Sequence, residues 1–391
     1  MLQHIDASSN VRDVKPRLKH VADHAGVSQA TVSRVLNDRP GVAETTRRAV
    51  LQAMAQLGYE HGRLRPARRT GLVGLIVPEL DNPVFPRFAQ ALESRLAREG
   101  LTTVLCTSTP AGMGETDYLD VLRDHAVTGV VLISGEHADT TVDHQRYRDL
   151  QAAGLPLVLV NGRDEDLGDI AAVTVDHAEV TRLAVAHLAS LGHRRIGLAL
   201  GPARYVTAAR LRLGYLDGMA RAGLPIEPAL ITDTIYGIEG GHAAGATLLP
   251  LAVTAVICAS DRMALGVIRA ARERGLEVPD DVSVMGFDDA GPNNHMDPPL
   301  TSVQQPFESM ASAIVQLLTA QIADTGAATP ELTFRPELVV RSSTGSVPEA
   351  ASPPLVGGDD GRSAASSTAA GDAEDGIATT TEAISPAGSG R

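Results

Sequence analysis

The sequence predicts a small all-α head followed by an α/β body made of two doubly wound lobes. Three observations support this fold class. Short amphipathic helices cluster near the N-terminus, apolar strands alternate with helices through the rest, and 391 residues exceed the size at which one core keeps growing. With 43% hydrophobic residues the chain has a core to bury. It contains no long uncharged apolar run, so we expect no membrane span.

The head is predicted from three short helices over residues 18–57. Gly26 ends the first helix where a positive φ permits a tight turn, and the hydroxyl of Ser28 is placed to cap the second. The third helix is predicted from Glu44 to Leu57. The apolar positions that should form the core of this head are Leu18, Val21, Ala22, Ala25, Val32, Val35, Leu36, Val50, Met54 and Leu57. The pattern is that of a helix-turn-helix with a third, closing helix.

The body is predicted from eight β-rich runs, each followed by room for one helix. Near-continuous apolar strands of this kind indicate parallel sheets covered on both faces. The runs are residues 72–77, 102–106, 129–133, 157–160, 171–175, 195–200, 254–258 and 282–287. Because one compact sheet seldom needs so many strands, two lobes with a cleft between them are predicted.

Charge is distributed unevenly along a chain of net charge −13. Residues 1–70 carry 12 Lys or Arg against 6 Asp or Glu, whereas the remainder carries 22 against 41. A basic head on an acidic body favours local attraction to phosphates, with the body repelled from a duplex except where the head docks.

Composition divides the chain into five segments. We expect a disordered arm (1–16), a helix-turn-helix domain (17–59), a basic hinge (60–70), the two-lobed body (71–344) and a disordered tail (345–391), whose Ala, Gly, Ser, Thr, Pro and acidic residues cannot repay the entropy of ordering. The N-terminus has no apolar stretch of a secretory signal, so a cytoplasmic protein is expected. Cys106 and Cys258 each end an apolar run and should be reduced core residues.

Several stretches resemble the LacI/GalR family of repressors. In the head these are VADHAGVSQATVSRVLN and PGVAETTRRAVLQAMAQLGY; in the body, GLVGLIVPELDNPVF, SLGHRRIGLALGP, DRMALGVIRAARERGLEVPDDVSVMGFDD, PPLTSVQQP and PELVVRSST. The similarity covers roughly residues 17–344. It implies a DNA-reading head and a periplasmic-binding-protein-like body that holds a small-molecule effector, with the chain crossing three times between the lobes.

The resemblance places Gln29, Ala30 and Arg34 against base edges. Arg34 can donate a bidentate pair to guanine, Gln29 can pair with adenine or reach a phosphate, and Ala30 can touch a thymine methyl group. A solvated or ion-paired arginine is the alternative for Arg34. The remaining residues expected at the DNA are Ser28, Thr31, Ser33, Asn37, Leu64 and Arg68.

The connector HGRLRPARRT departs from the family pattern because it is shorter and is interrupted by Pro66. Either a helix begins near Pro66 or the segment stays extended. Leu64 is its only apolar candidate for a wedge in the minor groove, and Arg68 is one of four arginines suited to a narrow minor groove or to phosphates.

Candidate effector-binding residues follow the predicted strands of the body. Asp288 is the first choice as an acceptor for hydroxyl groups, because it ends a strand at the edge where α/β crevices place ligands. The other candidates are Asn82, Phe85, Asn161, Tyr236 and Asp261. Asp288 and Asp261 have the alternative of capping helices, and Phe85 and Tyr236 that of ordinary core packing.

The resemblance also implies one arginine that grips the effector in the segment GPARYVTAARLRLGY. Counting back from Gly214 gives that position to Leu211, which is flanked by Arg210 and Arg212. Arg210 is taken as the candidate.

These features together predict a repressor rather than an enzyme. A homodimer on a palindromic operator is expected, with a mono- or oligosaccharide as effector and purine-type corepression as the alternative. No catalytic residue, metal or cofactor is expected: His20 and His24 have no third ligand nearby, and GIEGGHAAG has no phosphate-loop ending. The alternatives from other classes are a carbohydrate-binding protein that uses the body alone and a nucleoid-type DNA binder without an effector.

Overall fold

The computed structural model describes residues 18–36, 41–57, 71–108, 112–323 and 331–347. The arm (1–16), the hinge (60–70) and nearly all of the tail (345–391) lie outside these ranges. The predictions made for those three segments therefore stay predictions.

The head contains three helices, α1 (Leu18–Ala25), α2 (Gln29–Leu36) and α3 (Glu44–Gln56). The predicted turn and cap are both confirmed: Gly26 has a φ of +65°, and the N–H of Thr31 donates to Ser28 Oγ at 3.1 Å. The predicted apolar faces meet in one small core, whose buried members are Val21, Ala22, Val32, Val35, Val50 and Ala53.

The body alternates strands and helices. Its strands are β1 (Leu72–Val77), β2 (Thr102–Thr107), β3 (Gly129–Ile133), β4 (Leu157–Val160), β5 (Ala171–Val175), β6 (Ile196–Leu200), β7 (Ile231–Asp233), β8 (Ala255–Cys258), β9 (Ser283–Asp288), β10 (Thr301–Gln304), β11 (Glu331–Phe334) and β12 (Glu337–Val339). Its helices are α4 (Val84–Arg98), α5 (Glu115–Asp124), α6 (Gln145–Ala152), α7 (His177–Ser190), α8 (Val206–Arg221), α9 (Ile238–Leu248), α10 (Asp261–Glu273) and α11 (Phe307–Ile322). Short 3₁₀ turns lie at Glu136–Ala138, Glu165–Leu167, Pro228–Leu230, Leu249–Leu251 and Asn293–His295.

The strands form two six-stranded sheets, which define the two lobes. The first sheet has the order β11-β5-β4-β3-β1-β2 and is parallel throughout. The second has the order β12-β10-β9-β8-β6-β7 and is parallel except for β12, which runs antiparallel to β10. This architecture confirms the two doubly wound lobes.

The chain passes between the lobes three times, as the family resemblance implies. The passages follow β5, β10 and β11, and the last takes only two residues before β12 begins. We call residues 71–175 and 307–334 the first lobe and residues 177–304 and 337–347 the second. Gln305 and Pro306 form one of the passages.

All eight predicted strands are present, with ends that move by no more than one residue. Sequence reasoning missed β7, β10, β11 and β12, which read ITD, TSVQ, ELTF and ELV. These strands are short and contain polar residues, so they give no continuous apolar run. Cys106 and Cys258 are buried free thiols, as predicted.

The glycine-rich run GIEGGHAAG packs α9 against α10. A Cβ at Gly241 would lie 2.0 Å from the carbonyl oxygen of Met263, and one at Gly266 would lie 2.0 Å from that of Ile238. Both distances are far below van der Waals contact, so the two backbones approach closely only because glycine stands at these positions. This explains a motif that otherwise suggests a phosphate loop.

Candidate functional site

The candidate DNA-reading face is the outer surface of α2. Gln29, Ala30 and Arg34 are exposed there, while Val32 and Val35 on the opposite face enter the core. Exposure of the first three is what contact with base edges requires.

The flanking polar residues of α2 have local roles as well. The hydroxyl of Ser28 caps the helix and lies 2.9 Å from that of Thr31, so these two side chains hold the first turn in place. Ser33 is half-buried. The candidates Asn37, Leu64 and Arg68 lie outside the described residues.

A cavity of about 190 Å³ lies between the two lobes. Five of the seven predicted effector-binding residues line it: Asn82, Phe85, Asn161, Tyr236 and Asp288. The other lining residues are Pro78, Glu79, Val84, Ser134, Ala138, His177, Tyr205, Thr207, Leu211, Ala259, Ser260, Phe287 and Gln305.

The cavity lies at the carboxyl ends of the strands. Ser134 follows β3, Asn161 follows β4, Ala259 follows β8, Asp288 ends β9 and Gln305 follows β10. In open α/β sheets these strand ends form the ligand crevice. Ser134, which sequence reasoning missed, could have been found by applying this rule to every predicted strand. Gln305 could not, because it follows β10, which was not predicted.

A buried hydrogen-bond chain joins the two lobes across the cavity. Asn161 Nδ2 donates to Gln305 Oε1 at 3.0 Å, and Gln305 Nε2 donates to Asp288 Oδ1 at 2.6 Å. Asn161 Oδ1 is buried and has no partner among the described residues. Asn161 therefore brings a buried acceptor without a partner among the described residues to the wall of the cavity.

Asp261 stands behind the cavity rather than in its lining. Its carboxylate accepts from Ser302 Oγ at 2.6 Å and from Asn293 Nδ2 at 2.8 Å, while Ser260 supplies the cap of α10. Burial raises the pKa of Asp261 to about 6. Burial, followed by the negative charge of Asp261, raises the pKa of Asp288 well above its ordinary value. The expectation that Asp261 lines the cleft is therefore corrected, because its oxygens are already used within the second lobe.

The expectation for Arg210 is also corrected. Its Nη1 lies 2.9 Å from Glu331 Oε1, and Arg210 is not among the residues that line the cavity. The residues of α8 that face the cavity are Thr207 and Leu211, one turn apart. Arg212, on the other side of Leu211, pairs with Asp233 at 2.6 Å.

Aromatic rings form another part of the cavity wall. Phe85 and Phe287 are almost fully buried, and the ring of His177 meets that of Phe287 edge-on at 5.8 Å. Burial, followed by the charge of Arg210, lowers the pKa of His177 to about 3, so this imidazole is neutral. The rings of Tyr205 and Tyr236 lie 6.1 Å apart. Such rings supply the apolar platform of a small-molecule site.

Ionic and backbone contacts close the cleft around the cavity. Arg262 in the second lobe lies 3.2 Å from Glu79 in the first, and Arg204 Nε lies 2.7 Å from Asp139 Oδ2. The N–H of Thr140 donates to the carbonyl of Arg204 at 2.9 Å. The structure therefore shows the lobes in contact across the mouth of the cavity.

A histidine and two aspartates in the first lobe lie close enough to hold a metal ion: His144, Asp164 and Asp166. However, His144 Nδ1 lies 2.8 Å from Asp166 Oδ1, and Arg148 Nη1 lies 2.7 Å from the other oxygen of Asp166. Because the Arg148 guanidinium already pairs with this carboxylate, the group is better described as an internal ion-pair network than as a metal site.

Comparison with known proteins identifies both parts of the chain. Residues 17–61 match the model of bacterial regulatory proteins of the lacI family, and residues 185–344 match that of a periplasmic binding protein-like domain. The transcriptional regulator MalR of Streptomyces coelicolor is 49% identical over 336 residues, which are 85% of this chain and 97% of MalR. The repressor PurR of Pasteurella multocida is 32% identical over 83% of this chain and 98% of its own.

Solved structures give the same result. A complex of the transcriptional regulator CelR with cellobiose is 33% identical, with a TM-score of 0.64 over 84% of this chain and 99% of CelR. The lac repressor dimer bound to operator and the anti-inducer ONPF is 28% identical, with a TM-score of 0.61 over 85% of this chain and 99% of its own. Within the described residues, no helix is both long and apolar enough to cross a membrane.

Proposed function

This chain belongs to the LacI family of DNA-binding transcriptional regulators and carries an effector-binding domain, and we propose that it is a repressor. Its affinity for DNA is controlled by a sugar bound between its lobes. The observation that carries the proposal is the set of hydrogen-bonding groups that converge at the strand ends. Asp288, Asn161 and Gln305 face a space bordered by the aromatic rings of Phe85 and Tyr236. Few polar groups on an apolar wall suit a polyhydroxylated ligand.

The head would read DNA through the exposed side of α2. Arg34 contacts a guanine, Gln29 an adenine or a phosphate, and Ala30 a thymine methyl group. Ser28, Thr31 and Ser33, with Asn37, fix the register on the backbone. Leu64 and Arg68 in the connector reach the minor groove.

Two copies of the chain would bind one operator. Two-fold symmetry of a protein is mirrored in a palindromic site, and the lac repressor, a structural neighbour, was solved as a dimer on its operator. The cross-cleft pairs Arg262–Glu79 and Arg204–Asp139 favour the closed arrangement of the lobes. A sugar that binds one lobe arrangement better shifts the dimer toward it, and in doing so changes the affinity for operator.

The test is a thermal-shift screen of the full chain against maltose, cellobiose, monosaccharides and the purines hypoxanthine and guanine. A ligand that binds only the folded state raises the melting temperature by mass action. A sugar that does so and also releases the chain from its DNA site supports the proposal. If a purine tightens DNA binding and no sugar has an effect, the proposal of sugar control is replaced by corepression by a purine.

Arg34→Ala tests the reading head. Loss of one bidentate contact to guanine should cost about 1–3 kcal/mol of specific binding and relax the preference at one base pair. The sugar-induced rise in melting temperature should be unchanged in this variant, which makes it the matched control for the body. Unchanged specific affinity at fixed salt would remove α2 from its assigned role.

A further inference from the structure

The cavity wall has two acidic side chains and no lysine or arginine among the described residues. Its two ionisable acids are Glu79 and Asp288, and its imidazole, His177, is neutral. No lysine or arginine belongs to the described lining. An anionic ligand would therefore lose its hydration without meeting a cation, which is costly in a buried site.

Four described arginines that lie near lining residues in the sequence are held by other acceptors. Arg262 pairs with Glu79, Arg204 with Asp139 and Arg210 with Glu331. Arg87 Nη1 donates to the carbonyl of Asp289 at 2.7 Å. To reach a ligand, any of these guanidinium groups would have to leave an acceptor that it already has.

One position on α8 determines this lack of positive charge. Thr207 and Leu211 point into the cavity, and the arginines on either side of Leu211 diverge to Glu331 and Asp233. Leu211 is 2% exposed, so its apolar side chain is packed into the wall of the cavity.

The buried polar atoms of the wall also require donors. Asn161 Oδ1 has no partner among the described residues, and only Gln305 donates to the Asp288 carboxylate within that part of the chain. A ligand that donates hydrogen bonds can satisfy Asp288, whereas a carboxylate or phosphate can only accept.

Building on the sugar-controlled function proposed above, we infer that this cavity selects donor-rich ligands without negative charge, and that Leu211 sets this selectivity. Neutral and amino sugars bind; sugar phosphates and sugar acids are rejected. The discrimination is made by the wall itself and does not depend on which neutral sugar fits best.

The test compares ligands that differ only at one carbon. Maltitol, 1-amino-1-deoxymaltitol and maltobionate carry a hydroxymethyl, an ammonium or a carboxylate group at the same position, and cellobitol and cellobionate form a second matched pair. Isothermal titration calorimetry with the full-length wild-type chain should show that the acids bind at least about tenfold more weakly than their neutral partners. Acids that bind as tightly as the neutral compounds would overturn the inference. Failure of all these compounds and of every sugar in the thermal-shift screen would overturn the sugar effector and this inference with it.

Substitutions at the cavity then locate the selectivity. Leu211→Arg should reduce the preference for neutral over acidic ligand by at least about tenfold, since it supplies a cation at the wall. Leu211→Met is the control for altered packing and should keep the wild-type preference. Because an arginine at so buried a position can disturb folding, Thr207→Lys provides the same charge one turn earlier. An unchanged preference in folded Leu211→Arg and Thr207→Lys proteins would contradict the role given to this face of α8.

Discussion

Each lobe buries a carboxylate near the cavity, and the two are used differently. In the first lobe, Glu115 accepts from the hydroxyl of Tyr147 and, at 3.0 Å, from the N–H of Glu136, so both of its oxygens are satisfied within the lobe. In the second lobe, Asp288 receives one donor, Gln305, among the described residues. Glu115 holds the segment that follows β3, whereas Asp288 leaves acceptor capacity for a ligand. A buried carboxyl group thus supports the fold in one lobe, and in the other it is the group that we propose binds ligand.

The largest expected effect is on the pH dependence of stability in the first lobe. Burial raises the pKa of Glu115 to about 7, against an ordinary value of 4.5, although Tyr147, the N–H of Glu136 and His144 oppose the shift. The native state therefore keeps a proton that the unfolded chain has lost, and this contribution to stability disappears as the pH rises from 4.5 to 7. This pH-dependent contribution to stability is absent in Glu115→Gln. The difference in unfolding free energy between variant and wild type should change by about 3 kcal/mol between pH 5 and pH 8.

Urea unfolding at the two pH values measures this difference. Histidines that do not interact with Glu115 titrate alike in both proteins, so their contribution cancels. A difference that does not vary with pH would show that Glu115 is ionised throughout, and the contrast between the lobes would be lost.

A smaller effect, on binding rather than stability, is expected at Asp288. Hydrogen bonds to a charged group are worth about 1.5–3 kcal/mol, so Asp288→Asn should weaken sugar binding by about tenfold to a hundredfold. The unliganded variant should be at least as stable as wild type, because a poorly compensated buried charge is removed. Isothermal titration and thermal unfolding of the same preparation check both statements.

Asp289→Asn is the matched control for that variant. The neighbouring carboxylate lies 2.8 Å from Arg341 and also accepts from Asn293 and Gln304, so its loss should lower stability and leave sugar affinity unchanged. If sugar affinity is lost in Asp289→Asn and kept in Asp288→Asn, the ligand is bound by Asp289 and not by Asp288.

The affinity for sugar should itself depend on pH. The raised pKa of Asp288 keeps it protonated at low pH, whereas sugar hydroxyls donate best to the ionised form. Affinity should therefore fall as the pH falls through this pKa, by up to about tenfold per pH unit, and the dependence should be absent in Asp288→Asn. Titrations at pH 5 and pH 8 give the answer, and a profile shared by both proteins would exclude Asp288 as its source.

The smallest effect is expected at the mouth of the cleft. The Arg204 side chain is 48% exposed, and pairs of this kind contribute about 0.2–1 kcal/mol. Arg204→Gln should weaken sugar binding by no more than about fivefold, with the loss masked by high salt. A loss as large as that of Asp288→Asn would place binding energy at the rim instead of at the strand ends.

The sequence predicts the helices and strands of this protein from one kind of signal and the residues of its site from another. Apolar periodicity predicted the head and the eight apolar strands, because burial imposes those patterns directly. Five of the seven candidate effector residues lie at the cavity, since strand ends are visible in a sequence. The direction of Arg210 could not be predicted, because it depends on Glu331, a residue far along the chain that begins β11, after the second passage between the lobes.

Gln305 was missed for a related reason. It follows β10, a short strand with polar residues and no apolar run, so the passage between the lobes was not visible in the sequence. Its two hydrogen bonds join Asn161 in the first lobe to Asp288 in the second. Contacts of this kind are set by tertiary structure and leave no local pattern.

The most direct test of the account is one titration on DNA with three proteins. A DNA site is first selected from a random library with the full-length wild-type chain, and fluorescence anisotropy then follows its release as a sugar from the thermal-shift screen is added. We predict release of the wild type, tight binding without release at the same sugar concentration for Asp288→Asn, and loss of specific binding for Arg34→Ala. Equal release of the wild type and Asp288→Asn would contradict control by the cavity between the lobes.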